Sequence, residues 1–92
     1  MAISETLVER GNDYGSFENN ARMIQAMMNI AVGGSRDKLS PMHVEAFHMI
    51  FHKIARMCNG NQFHADSAHD IAGYAILLEE YINEVNDEQE LR

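Results

Sequence analysis

Basic residues are scarce in this chain. Seven lysines and arginines stand against fourteen aspartates and glutamates, for a net charge of −7. Binding to a phosphate backbone needs a basic face, so nucleic-acid binding of that kind is not expected. Tryptophan is absent and aromatics make up only 8% of the residues, so a core must rest on aliphatic side chains and the seven methionines. The single cysteine, Cys58, has no partner for an internal disulfide. It falls on an apolar helical stripe and reads as small buried filler, suited to a reducing cytoplasm. No apolar run approaches membrane-spanning length, and the opening residues MAISETLVERG do not have the form of a signal peptide. Glycine-rich phosphate loops and Ser-His-Asp orders are missing too, so no residue is assigned as catalytic.

Helical periodicity fills the rest. Ninety-two residues make one small domain, near the lower limit for a self-sufficient core. The spacing predicts helices over about 4–10, 17–31, 41–58 and 66–85, followed by an acidic tail over 86–92. Ser4 and Ser16 are suited to cap the first two. The turn Asn12-Asp13-Tyr14-Gly15 separates them, and GGSRDK is a flexible connector. Ser40-Pro41 is the sharpest local signal, because serine caps a helix and proline at its first position loses no needed hydrogen bond. The third helix has its main stripe at Val44, Phe47, Phe51, Ile54 and Cys58. It is also apolar at Ala46, Met49, Ile50 and Met57, which suits a central spine. Its short connection to the fourth makes the two an antiparallel hairpin. The expectation is therefore an all-α fold, a small bundle of about four helices built on this hairpin. The broad, methionine-rich stripe of the second helix suits contact with two neighbours, and a homodimer is expected to complete the core.

The polar residues of the hairpin are the candidates for chemistry. Lys53 and Arg56 lie three apart, while Asp66 and Asp70 lie four apart and share a face. In an antiparallel hairpin Lys53 would meet Asp70 and Arg56 would meet Asp66. That arrangement supports either two cross-helix salt bridges, or a polar pocket where acids hold a divalent metal and bases take phosphate oxygens. Tyr74, one helical turn from Asp70, either hydrogen-bonds it or fills core. Gly73 inside a helix costs about 1 kcal/mol relative to alanine, which points to close helix approach or to room for a ligand. His48 and His52 have the i, i+4 spacing of two ligands on one face, with Glu45 a turn before. A zinc site needs three or four converging ligands, however, and the ordinary reading is surface or capping histidines. Glu79, Glu80, Glu84, Asp87 and Glu88 crowd the C-terminal end, where acids oppose the helix macrodipole. They form either a solvated end or a surface for a basic partner.

Three segments together, ERGNDYGSFENN, KIARMCNG and DSAHDIAGYA, resemble a family of small phage and prophage proteins of unknown function. The shared features are Arg10, Tyr14, Gly15 and Phe17, then Lys53 and Arg56, then Asp66, Asp70, Ile71, Gly73 and Tyr74. The resemblance implies phage origin and an all-α fold, and the expected location is the host cell cytoplasm. More distantly the chain is similar to the MazG-like all-α nucleotide pyrophosphatases, which hold magnesium with acid clusters on two helices. On that likeness Asp66 and Asp70 stand for one acidic pair, with Glu45 a third metal ligand and Lys53, Arg56 and Tyr74 as ligand or phosphate contacts. The E-E-x-x-E pattern of the earlier helix has no counterpart, since residues 17–31 offer only Glu18. The leading expectation is thus a phage accessory protein that binds, and blocks, a host or phage enzyme through its acidic helical surface, with no cofactor. The alternative is a divergent pyrophosphatase or nucleotide-binding protein that uses magnesium.

Overall fold

The computed structural model describes residues 14–90, and the helix expected over 4–10 lies outside them. The described part is all-helical, with three α-helices: α1 (Phe17–Ala31), α2 (Pro41–Asn59) and α3 (Ala65–Glu90). Serines start the first two. Ser16 Oγ accepts from the Asn19 amide and Ser40 Oγ from the His43 amide, each at 3.1 Å. Pro41 occupies the first turn of α2, where its missing N–H costs nothing. The α2 helix closes where the Gly60 amide donates to the Arg56 carbonyl at 2.9 Å.

The spine is α2, as its all-round apolar sequence implies. Helices α1 and α3 both pack on it and make at most marginal contact with each other. Ile24, Met28 and Val32 of the α1 side meet Ala55, with Val44, Phe47 and Phe51 packed around them. Alanine at positions 46 and 55 lets neighbouring backbones approach, and both alanines are buried.

The connector over 33–39 is folded rather than loose. A 3-10 turn spans Gly33–Ser35, and the Leu39 amide donates to the Ser35 carbonyl at 3.1 Å. Fully buried Val32 and core-packed Leu39 tether its two ends, which GGSRDK alone does not reveal.

A second correction concerns α3. The acidic tail stays helical to Glu90, past the expected end at Val85. Tyr81, Ile82 and Val85 are partly buried and anchor the helix as far as the expected end, while residues 86–89 continue it exposed. Cross-hairpin contacts Lys53–Asp70 and His43–Tyr81 set a register in which Pro41 faces residues 82–83, and the last turns of α3 run beyond α2.

Cys58, expected as buried filler, is exposed. The α1–α2 core ends at Ala55, and Cys58 lies beyond it. Phe17 is likewise 88% exposed and Ile30 87%. Among the described residues α1 has one neighbour, not two, and cannot bury a stripe that wide. The molecule is correspondingly long, 58 × 26 × 21 Å, with a radius of gyration of 16.3 Å. A compact chain of this length has about 12 Å. No described helix is long and apolar enough to cross a membrane.

Candidate functional site

Helical spacing places Glu45, His48, His52 and Arg56 in one row along α2. The row is linked step by step. Glu45 Oε1 lies 3.3 Å from His48 Nδ1, and His48 Nε2 lies 3.2 Å from His52 Nε2. One turn further, the Arg56 guanidinium sits over the Tyr14 ring, 4.7 Å from its centroid, a cation–π contact.

The start of α1 is pinned against the end of α2 at this point. Gly15 has φ +80°, and a Cβ there would lie 2.6 Å from Asn59 Cβ and 2.7 Å from its carbonyl oxygen. Only glycine tolerates both the dihedral and the approach. Asn59 Nδ2 donates to Asn20 Oδ1 at 3.0 Å, and Asn20 Nδ2 donates to the Tyr14 carbonyl at 2.6 Å. The His64 ring meets the Tyr14 ring edge-on at 5.2 Å.

Between these elements lies an open cleft of about 980 Å³. Tyr14, Phe17, Ala21 and Ile24 supply its apolar walls; Asn20, Gln25, His52 and Arg56 supply polar groups. No described lining residue is acidic, in a chain with fourteen acids. Burial, and then the neighbouring His48, Arg56 and Lys53, hold His52 below the ordinary histidine value, with Glu45 opposing them. His52 is therefore biased towards the neutral imidazole.

The hairpin candidates divide. Lys53 Nζ reaches Asp70 Oδ2 at 3.1 Å, as the antiparallel register requires. Arg56 and Asp66 form no ion pair. Arg56 is rotated about 60° round α2 from Lys53 and turns to Tyr14 instead, while Asp66 is exposed. Tyr74 is partly buried and makes no hydrogen bond among the described residues. Around Gly73 there is open space rather than close helix contact: nothing lies within 4 Å of a Cβ built there.

The three carboxylates read as metal ligands are not brought together. Asp70 is held by Lys53, and the register sets Glu45 about 12 Å along the hairpin from it. No group of three His, Cys, Asp or Glu among the described residues is placed to hold a metal ion. The acids Glu79, Glu80, Glu84, Asp87 and Glu88 are all exposed on α3.

Sequence reasoning missed the Tyr14–Arg56 contact and the Asn20–Asn59 amide pair. Both join residues far apart in the chain, and neither leaves a local pattern. The glycine after Tyr14 was the available signal, since a forced left-handed residue marks a close approach. The His48–His52 contact was visible as i, i+4 spacing.

A family model described as a domain of unknown function (DUF6378) matches residues 2–82. No curated protein and no solved structure matches the chain.

Proposed function

We propose that this chain, which belongs to the DUF6378 family, acts by binding a protein partner through the acidic outer face of α3. The observation that carries the reading is the unbroken course of α3 to Glu90. Glu79, Glu80, Glu84, Asp87 and Glu88 are all exposed on it, and the stretch from Ile71 to Glu90 holds no lysine or arginine. Acids at a helix C-terminus work against the macrodipole, so this face costs local stability. A basic surface on a partner would convert that cost into steering and specificity. In the phage setting that the resemblance implies, the partner is a host or phage enzyme in the host cytoplasm, and docking blocks it. The long shape and the exposed Phe17, Ile30, Ile76 and Leu77 support association with a second copy as well.

A nucleotide-binding role is the second reading, favoured by a cleft whose described lining holds no acid and has Arg56 and His52 in its wall. Magnesium-dependent pyrophosphate release draws less support, because Glu45, Asp66 and Asp70 do not converge.

The test is capture of partners by the full chain and by a variant with Glu80, Glu84 and Asp87 changed to lysine. The reading expects a partner held by the wild type, lost at high salt and lost in the variant. Equal capture by both, or turnover of nucleoside triphosphates with magnesium, would overturn it.

A further inference from the structure

The two imidazoles on α2 meet nose to nose. His48 Nε2 and His52 Nε2 are 3.2 Å apart, with the rings 69° from coplanar. A cation bound to two imidazole nitrogens at 2.0–2.1 Å spans about 2.9 Å between them at a right angle and about 3.3 Å at the tetrahedral angle. The observed separation falls within that bite. On the far side of His48, Nδ1 faces Glu45 Oε1 at 3.3 Å. A carboxylate only accepts, so Nδ1 donates the proton and leaves the His48 Nε2 lone pair free. This is the carboxylate–histidine arrangement that fixes the tautomer of metal-bound imidazoles.

We propose that His48 and His52 form a two-histidine site for a divalent transition-metal cation, with Glu45 orienting His48 from behind. The class is zinc, nickel or copper, which imidazole nitrogen suits, and not magnesium, which requires oxygen ligands. Without a cation the same contact is a hydrogen bond in which His52 Nε2–H donates to His48 Nε2. Loading shifts the His52 proton to Nδ1, and both lone pairs then bind. Lys53 and Arg56 oppose the added charge, although Lys53 is paired with Asp70 and Arg56 is engaged with Tyr14. With two protein ligands the remaining positions belong to water, so the site is exchangeable. His52 also lines the cleft, so the cation would sit at its wall.

The experiment is calorimetric titration of nickel chloride into the full chain at neutral pH, in a Cys58→Ser background that removes the exposed thiol as a competing ligand. One equivalent is expected to bind. His48→Gln and His52→Gln should each weaken it by at least about tenfold, and Glu45→Gln by about tenfold. His69→Gln, exposed and away from the row, should leave it unchanged. Helix content by circular dichroism accompanies each variant. His48→Gln carries the test if His52→Gln unfolds. Affinity unchanged in folded His48→Gln, or no binding by the parent chain, would overturn the proposal.

Discussion

Lys53 Nζ and Asp70 Oδ2 meet across the α2–α3 hairpin at 3.1 Å, the one ion pair between helices among the described residues. The partners are unequal, since the lysine side chain is 12% exposed and the aspartate 44%. Most of the desolvation therefore falls on Lys53. Asp70→Ala leaves that ammonium without its carboxylate and should cost about 1–2 kcal/mol, between the surface and buried regimes. Lys53→Met combined with Asp70→Ala should recover most of the loss. Urea midpoints of the two singles and the double form the cycle, and a coupling energy near zero would remove the pair from the account of the fold.

Gly15→Ala tests the other end of the molecule. The change demands φ near +80° from a residue with a Cβ and drives that atom into Asn59. The loss should be about 2 kcal/mol or more. Because the same contact holds Tyr14 beside Arg56, the cleft should open with it. Asn59→Gly in the Gly15→Ala background relieves the side-chain clash but not the dihedral or the carbonyl contact, so it should restore part of the stability only. Full restoration would show that the left-handed conformation is unimportant.

Much of this architecture can be read from spacing. Ser40-Pro41 marks the start of α2, its all-round apolar sequence marks it as the spine, and the hairpin register anticipates Lys53 opposite Asp70. Each of those features repeats within a few turns of helix. The misreadings have a common origin in contacts that no local pattern encodes. Arg56 is drawn to Tyr14 instead of Asp66 because α1 enters beside it, and α1 enters there because Gly15 sits on Asn59. Cys58 belongs to an apolar stripe, yet it lies outside the buried cluster that includes Ala55. Tyr81, Ile82 and Val85 anchor α3 up to its acidic tail, and the helix continues to Glu90 with residues 86–89 exposed.

Stability should depend on pH through His52. Its folded value lies below the ordinary one near 6.5, chiefly because of burial and then because of His48, Arg56 and Lys53. The unfolded chain therefore binds the proton more readily. The stabilising difference is fully present above the ordinary value and is lost as pH falls from there through the folded value. His52→Gln should flatten the slope of the melting temperature in this window without changing its sign elsewhere. Parallel slopes for the two proteins would assign the acid sensitivity to other groups.

Glu80, Glu84 and Glu88 follow one another at i, i+4 along the exposed face of α3, and like charges at that spacing repel. They also lie towards the negative end of the helix dipole. Glu84→Lys replaces two repulsions by two attractions and suits the terminus, so it should stabilise the protein by about 0.5–1 kcal/mol. For a domain of this size that is a rise in melting temperature of about 4 °C. The same substitution should weaken capture of a basic partner, because it breaks the negative row at its middle. Gain of stability with loss of binding is the pattern of a surface kept acidic for a partner at the expense of the fold. Gain of stability with binding intact would leave the acids without a docking role and shift attention to the cleft beside Arg56.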